Sequence, residues 1–473
     1  MISQLNRLFD FFRGAGRADL GEDKVFRTLL SLAVPSVAMV VFYSLLHLVD
    51  TVFISWLGEV HMIAVSYAFP FQLGAFALLE GISNGLAALI AHKLGEADSG
   101  EAQRIASSGL VLGYVLCVPL FLFMVPSFSD YCLSLFGCTD PAVLAKAWRY
   151  NMWLPASFIF TCFAFIANTI FRCQGNTAVP LKSFIVANIA NVILDPLFIF
   201  VFGWGITGAA FSTFIGRVLA ALYLTEKLKD ESRLKADIFS LIPHRWMLSY
   251  WKKIFRVGCP VMITASSVAL GIGSINRIIT GTFGSQAVAA WMLGMRLEDV
   301  VLGTLVGIND ALVPFLAYNY ARKDKKRLKK GLHAAFIISA VITGLLGFVV
   351  GFFPLHWISV FHPTREIGEI AAQAVRITLA GFPLVVYIVV YNSLFIATGH
   401  SVYGTVAMLS RTAILRVPVA HVLSAFVSVS YIWLFQPISY AGAALITAYY
   451  GNRLIRRIES DSEMNDVFES GNE

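Results

Sequence analysis

Two carboxylates inside long apolar segments are the residues of this sequence whose chemistry stands out. Asp50 follows the apolar run 42–49 with no Lys or Arg within one helical turn, and Asp195 lies in the apolar run 193–198. A charge inside a lipid bilayer costs at least about 2.5–3.5 kcal/mol on insertion scales, so acids at such positions indicate function. Both carboxylates are therefore candidates for binding a cation or a proton.

The residues around Asp195 supply further oxygen atoms. Asn188, Asn191 and Asp195 stand at i, i+3 and i+7 and share one face of a helix. Pro196 has no backbone N–H, so it frees the carbonyl of Val192. This group suits Na⁺, because hard cations prefer oxygen ligands, and it is equally a place where a carboxylate could hold a proton. The sequence leaves Na⁺ and H⁺ open as coupling ions and implies no other cofactor.

Other polar residues lie within apolar helices and are weaker candidates when taken singly. A buried Asn, Thr or Tyr more often only hydrogen-bonds a neighbouring helix than binds an ion. Three of them could add oxygen atoms to the cation site: Tyr150, Asn168 and Thr213. A further group could line a substrate cavity: Asn188, Glu80, Asp310, Asn276 and Arg411.

The elements that must position these side chains are membrane-spanning helices. The chain has 473 residues, of which 57% are hydrophobic and only 14% charged, and its mean hydropathy is +0.72. Soluble domains carry about 25% charged residues. A spanning helix needs about 20 apolar residues, and the sequence predicts an all-α polytopic fold with about twelve of them. They lie near 28–56, 63–92, 104–128, 146–172, 179–203, 207–226, 252–281, 287–319, 331–353, 369–397, 403–426 and 429–452.

The distribution of Lys and Arg predicts the orientation. The formal charge of +7 is concentrated in short linkers, which fits a membrane surface rather than nucleic acid. Lys and Arg cluster in four places: before the first span, in the linkers 226–253 and 320–330, and near the end of the sequence. With twelve spans these four places fall on the same side of the membrane. The loops 57–62 and 282–286, on the other side, carry no cation. We therefore expect a multi-pass protein of the cell (inner or plasma) membrane with both termini cytoplasmic.

The sequence is internally duplicated. Matching segments recur at an offset of 226 residues, which drifts to 224: 49–51 with 275–277, 81–84 with 307–310, 168–171 with 392–395 and 175–177 with 399–401. An even number of helices per half makes the repeats parallel, with two six-helix bundles around a central cavity. The predicted regions are a cytoplasmic segment 1–27, an N-lobe 28–226, a linker 227–251, a C-lobe 252–455 and an acidic tail 456–473.

The second half does not repeat the acids of the first. Asn276 matches Asp50, and aligning two Ile-Leu pairs puts Arg416 where Asp195 stands. The cation site is therefore expected in the first half only. In the second half we expect a structural ion-pair cluster of Arg296, Glu298 and Asp299. The basic residues of span eleven could contact an anionic substrate or pair with acids, and we favour pairing for Arg411, Arg416 and His421.

Several classes of protein are excluded or left open. The sequence has no GxxxxGK[ST], HExxH or GxSxG motif and no TVGYG-type filter, so neither an enzyme nor a channel is expected. Cys132 and Cys138 share one predicted outer loop, which leaves a disulfide open.

Specific segments resemble the multidrug and toxic compound extrusion (MATE) transporters across nearly the whole chain. They are 48–53, 171–177, 191–200, 205–210 and 415–418. The resemblance implies a rocker-switch antiporter that exports organic, often cationic, molecules in exchange for Na⁺ or H⁺. In the DinF-like branch the implied cation site is an N-lobe cluster, whose members match Asp50, Asn191, Asp195, Tyr150, Asn168 and Thr213, with a kinking proline at Pro35.

The other bacterial branch, NorM-like, uses acids of the C-lobe on spans seven and ten. In this sequence the segment 258–267 of span seven contains no Asp or Glu, and span ten contains none after Arg376. We therefore expect the DinF-like arrangement. The expected partners are a lipid bilayer and small organic substrates, without nucleic acid, and the protein is expected to be a monomer. The alternative function is a flippase of lipid-linked precursors or polysaccharides in the same superfamily.

Overall fold

A computed structural model describes residues 18–21, 24–135, 138, 140–232, 234, 246–361 and 364–460 of the chain. Inside its helices some side chains are not described: 41, 43–52, 55, 59, 62–63, 66–67, 69–70, 269–270, 285 and 289. Residues 1–17 of the predicted N-terminal segment and residues 461–473 of the predicted acidic tail lie outside the described residues, so the location of both segments stays a prediction. Throughout the described ranges the structure contains helices and no β-strand.

The described residues of the first half form eight α-helices. Helices α1 to α8 are, in order, Val25–Ser55, Glu59–Gly95, Ser99–Cys117, Pro126–Leu135, Pro141–Asn151, Leu154–Cys173, Ala178–Pro196 and Ile206–Asp230. A 3₁₀ segment, Val118–Met124, extends α3, and a π-helical turn, Leu197–Val201, follows α7. Cys132 and Cys138 are both free, so the structure has no disulfide between them.

Eight α-helices are also formed by the part of the second half that the structure describes. Helices α9 to α16 are Met247–Ala321, Lys325–Phe352, Pro354–Ile358, Arg365–Ala380, Phe382–Ala397, Ser401–Leu409, Arg416–Phe426 and Phe435–Glu459. Helix α9 is broken at Gly284, where φ is 83°. A π-helical turn, Ser410–Ile414, joins α14 to α15, and two 3₁₀ turns are Ser359–Phe361 and Ile432–Leu434.

The helices are long and apolar enough to cross a membrane. Among the described residues nine segments meet this condition, and the pair α12 and α13, bent by 51°, makes a tenth when counted as one span. The predicted all-α polytopic fold is therefore confirmed.

The chain forms two compact units. One contains Ala38–Gly258 together with residues 18–19, and the other contains Leu20–Val37 together with residues 259–460. The first turns of α1 therefore belong to the second unit, and the first turns of α9 belong to the first unit.

The duplication is visible in the backbone. Left-handed residues, which are uncommon outside glycine, recur at the offsets read from the sequence. The pairs are Gly58 (φ 102°) with Gly284 (83°), Ala97 (61°) with Lys323 (56°), and Gly175 (76°) with Gly399 (78°). Both halves thus turn the chain at equivalent positions.

Side-chain hydrogen bonds repeat as well. Asp98 caps α3 by accepting from the Glu101 amide at 2.9 Å, and Asp324 caps α10 from the Arg327 amide at the same distance. In each half a side-chain hydrogen bond of 2.6 Å joins two helices at equivalent positions. These bonds link Ser83 with Thr169, and Ser393 with Asn309. The two halves therefore share one scaffold.

Candidate cation site

Helix α8 approaches α7 and the π-helical turn after it backbone to backbone, at one place each. A Cβ added to Gly208 would lie 2.7 Å from the carbonyl carbon and oxygen of Phe198, and one added to Gly216 would lie 2.7 Å from the carbonyl oxygen of Ala187. Small residues let helices pack this closely inside a membrane. The polar residues of the candidate site lie between the two contacts.

A buried polar cluster occupies this space. Asp195 is 1% exposed and Asn191 7%. The Asn191 Nδ2 donates to Thr213 Oγ1 at 3.2 Å and lies 3.4 Å from both Asp195 Oδ1 and Ser212 Oγ. The Ser212 hydroxyl donates to Asp195 Oδ1, and its alternative acceptor, the carbonyl of Ala209, is 2.9 Å away. The structure thus brings together three of the predicted residues and one that was not predicted.

Ser212 is the residue that sequence reasoning missed. It is fully buried and contacts both Asp195 and Asn191. A signal for it was present: Gly208, Ser212 and Gly216 follow one another at i+4, the small-residue spacing of close helix contacts in membranes. A serine on such a stripe must face the neighbouring helix, here α7.

The helical hydrogen-bond pattern changes directly after Asp195. Pro196 ends α7, and the next turn is π-helical, with the Phe202 amide donating to the Leu197 carbonyl at 2.9 Å. A π-helical turn of this kind often marks a functional site. Pro196 has no amide N–H to donate to the Val192 carbonyl, so a role of this oxygen as a cation ligand stays a prediction.

Asp50 and Tyr150 are two further residues predicted for the site. Asp50 is part of α1, but its side chain lies outside the described residues, so its place in the cluster stays a prediction. Tyr150, at the end of α5, is half-buried and packs against a hydrophobic cluster that includes Val143 and Ala147.

Asn168 does not contact the Asn191–Asp195 cluster among the described residues. Its Oδ1 accepts from Ser183 Oγ at 3.3 Å. Ser183 precedes Asn191 by eight residues, about 12 Å along a helix at 1.5 Å per residue. Between them lies Asn188, half-buried, whose Nδ2 has no partner in the described structure.

The predicted kink residue Pro35 lies inside an unbroken α1. The following turn packs tightly, since a Cβ added to Gly307 of α9 would lie 2.7 Å from the Val37 Cα. The Ser36 hydroxyl donates to the Leu32 carbonyl at 3.0 Å. Whether this proline acts as a switch remains a prediction.

The cavity candidates differ in burial. Glu80 is exposed, Asp310 and Asn276 are half-buried, and Arg411 is 8% exposed. The Asn276 Oδ1 is buried without a partner among the described atoms. Their common role in a cavity stays a prediction.

A second buried polar network lies in the second unit. The Arg416 Nη2 donates to Gln436 Oε1 at 2.6 Å, and the Gln436 Nε2 donates to Thr378 Oγ1 at 2.8 Å and to Glu298 Oε2 at 3.2 Å. The Tyr440 hydroxyl lies 2.9 Å from Glu298 Oε1 and 2.8 Å from Gln436 Oε1.

This network corrects two expectations about the second half. No salt bridge of the described residues involves the cluster 296–299, because Glu298 is hydrogen-bonded to an amide and a phenol instead. Arg416 bonds the amide of Gln436 rather than an acid, and His421 is exposed. Glu298 accepts its hydrogen bonds from two neutral side chains of α16, Gln436 and Tyr440, which the sequence spacing did not reveal.

The chemistry of the first cluster suits a monovalent cation. It contains one described carboxylate, two hydroxyls and one amide, and among the described residues no group of three His, Cys, Asp or Glu side chains could hold a metal ion. Divalent cations are usually held by several carboxylates or by imidazole and thiolate. The described carboxylate, Asp195, with its neutral oxygen neighbours matches one positive charge, either Na⁺ or a proton. The predicted second carboxylate, Asp50, lies outside the described side chains.

Comparison with known proteins supplies the family context. The family model MatE matches residues 35–197 and 260–422, one match in each half. The multidrug export protein MepA of Staphylococcus aureus (strain N315) is 26% identical over 408 residues, which cover 85% of this chain and 88% of MepA. A FAD transporter of Shewanella oneidensis is 24% identical and covers 92% and 96% of the two chains.

Solved structures share the fold. A MATE crystal structure in complex with MaL6 superposes with a TM-score of 0.87 at 22% identity, over 93% of this chain and 98% of that one. A MOP superfamily transporter from Pyrococcus furiosus gives a TM-score of 0.86 at 21% identity, with the same coverage. Such structures have twelve transmembrane helices in two bundles, in agreement with the predicted architecture.

Proposed function

The chain belongs to the MatE family of multi-pass membrane transporters and is not an enzyme, and from this membership we propose that it exports organic molecules in exchange for Na⁺ or H⁺. The name of the relative MepA, a multidrug export protein, supports drug-like substrates. These relatives do not favour the alternative of a lipid-linked precursor flippase. The observation that carries the antiport proposal is the buried Asp195, held by Asn191 and Ser212 between α7 and α8.

The cluster has two ways to neutralise its charge. A sodium ion would take oxygens from Asp195, Thr213 and Ser212, with the Asn191 amide turned so that its Oδ1 faces the ion. A proton would instead settle on Asp195, which would then no longer need the Ser212 hydroxyl as a donor. That hydroxyl has the carbonyl of Ala209 as its second acceptor, 2.9 Å away. Either ion removes a negative charge that is expensive to bury.

Neutralisation is proposed to drive the transport cycle. A cation enters from outside, α1 changes conformation near Pro35 once Asp50 and Asp195 no longer carry charge, and the cargo leaves outward before the two bundles rock back. The DinF-like branch is supported by the full set of matching residues in the first half. The Lys and Arg distribution supports cytoplasmic termini in the plasma membrane, and a monomer suffices for the cycle.

The first prediction tests Asp195 and Asp50. We expect Asp195→Asn and Asp50→Asn each to abolish export, because an uncharged amide can neither take up a proton nor supply the negative charge that binds Na⁺. The measurement is uptake of a panel of organic cations into inverted membrane vesicles, under separately imposed Na⁺ and pH gradients. The gradient that drives uptake in the wild type identifies the coupling ion.

The matched control is Asp140→Asn. Asp140 caps α5 by accepting from the Ala142 amide at 2.8 Å, and Asn is an equally good capping residue. This variant should transport like the wild type at the same membrane abundance. Normal gradient-driven uptake by Asp195→Asn would refute the proposed coupling site.

A further inference from the structure

Two buried arginines lie around the π-helical turn of the second unit. Arg411 and Arg416 are each 8% exposed. In a regular α-helix residues five apart point about 140° away from each other. Here the Leu415 amide donates to the Ser410 carbonyl at 3.1 Å, an i→i+5 bond that widens the turn and brings such residues toward one side.

Both arginines contact the same group of side chains. The Arg411 Cζ lies 5.8 Å from the centre of the Tyr440 ring. Arg416 donates to Gln436 Oε1, which lies 2.8 Å from the Tyr440 hydroxyl. Aromatic walls complete the surroundings, since the Arg416 Cζ lies 5.3 Å from the ring of Trp291, which stacks on Trp433 at 5.7 Å.

The positive charge of this group is not balanced by ion pairs. Glu298 already receives hydrogen bonds from Tyr440 and Gln436, and none of the salt bridges between described residues involves either arginine. The other charges that act in this region are Asp299 and Arg296, and both side chains are exposed. The two buried guanidinium groups therefore share one half-buried carboxylate, that of Glu298. A buried cation without a counter-charge is costly in a membrane protein.

The unsatisfied polar atoms of the group all have the same character. Within the described residues four buried atoms of this cluster have no hydrogen-bond partner: Arg411 Nε, Arg416 Nε, Trp291 Nε1 and Trp433 Nε1. Each of them is an N–H donor. The missing partner must therefore be an acceptor, and the excess positive charge calls for a negative one. A water molecule would satisfy a donor but would leave the charge uncompensated.

We propose that Arg411 and Arg416 bind a monovalent anion inside the second unit. The shared chemistry is a compact anionic acceptor, which is either a halide from solution or the carboxylate of the transported molecule. The second source would extend the cargo from cations to zwitterionic and anionic molecules. The site uses residues that the proposed cation site does not, so each can fail without the other.

Thermal unfolding of the purified full-length protein tests this site. The melting temperature is followed while bromide or benzoate replaces sulfate at a constant sodium concentration, so that the cation site sees no change. We expect a saturable rise for the wild type, and at least a tenfold weaker apparent affinity for Arg411→Gln and Arg416→Gln. The matched control Arg453→Gln removes an exposed arginine from α16, the helix that carries Gln436, and should respond like the wild type.

The two anions distinguish the sources. A response to bromide that benzoate does not reproduce or displace identifies a halide site, whereas benzoate that displaces bromide identifies a carboxylate site. Asp195→Asn should retain the anion response, which separates this site from the cation site. No saturable rise with either anion would overturn the proposal, as would an equal rise in both arginine variants.

A second measurement uses only the wild-type protein, so it does not depend on whether the arginine variants fold. Crystals of the wild type grown with bromide should give an anomalous peak within hydrogen-bonding distance of the Arg411 or Arg416 guanidinium when the source is a halide. Benzoate-grown crystals should show the carboxylate there when it is the cargo. Neither ion at these guanidiniums would reject the site.

Discussion

Single side chains explain how a carboxylate is tolerated between α7 and α8. Asp195 is almost fully buried, yet its Oδ1 is within reach of one hydroxyl and one amide from Ser212 and Asn191. Hydrogen bonds to a charged group contribute about 1.5–3 kcal/mol each. Ser212 is therefore expected to orient the carboxylate for binding a cation.

The second prediction concerns Ser212→Ala. Loss of the hydroxyl removes one donor from Asp195 and one oxygen from a sodium ion, so we expect the half-saturating cation concentration for transport to rise about tenfold, equivalent to about 1.4 kcal/mol. Cation titrations of vesicle transport measure it.

Thr225→Val serves as the comparison for Ser212→Ala. Thr225 also lies on α8, but its hydroxyl donates only to the Ala221 carbonyl of its own helix, at 2.8 Å. This variant should keep the wild-type cation dependence. An unchanged cation dependence in Ser212→Ala would show that the hydroxyl plays no part in coupling.

At the scale of helices, the site depends on how closely α7 and α8 pack. Gly208 and Gly216 bring the backbones together on either side of the polar cluster. The π-helical turn Leu197–Val201 then releases the regular hydrogen-bond pattern beyond Asp195. The helix pair thus positions the side chains of the cluster, and small changes in its separation should change the site.

The third prediction is that Gly216→Ala lowers both stability and transport. The new Cβ would lie 2.7 Å from the carbonyl oxygen of Ala187, so the helices must separate. Overpacking of this kind costs about 1–3 kcal/mol. The measurements are the melting temperature in detergent and cation-driven uptake.

A glycine with open surroundings provides the control. No described atom lies within 4 Å of a Cβ built on Gly74 of α2, so Gly74→Ala should leave the melting temperature unchanged or slightly higher. Equal effects of the two substitutions would argue against the close α7–α8 contact.

At the scale of the whole molecule, a duplicated scaffold carries different chemistry in its two halves. Left-handed turn residues and helix caps recur at equivalent positions. The polar clusters do not recur: the first half places Asp195 before a π-helical turn, and the second places Arg416 after one. Scaffold substitutions should therefore act alike in both halves, whereas substitutions in the clusters should not.

The fourth prediction compares the equivalent caps. Asp98→Ala and Asp324→Ala should each lower the stability by about 1 kcal/mol, because each removes the acceptor for one amide at a helix start. Asp98→Asn and Asp324→Asn keep an acceptor and should unfold at the wild-type temperature. Thermal unfolding measures all four. A large loss at one cap and none at the other would contradict their structural equivalence.

The sequence by itself determined the membrane class, the helical content, the duplication and the acids inside apolar runs. These properties depend on consecutive residues: about 20 apolar side chains in a row form a span, and a repeat offset needs only the order of residues. The spacing of Asn191 and Asp195 also placed them on one face, because a helix fixes the direction of residues four apart.

Only the tertiary structure decided which side chains meet. Ser212 reaches Asp195 from another helix, Asn168 bonds Ser183 instead of the cluster, and Glu298 takes its hydrogen bonds from Gln436 and Tyr440. Such contacts join residues that are 15 to 142 positions apart. They depend on the rotation and separation of packed helices, which small residues and π-helical turns set and which local hydropathy does not record.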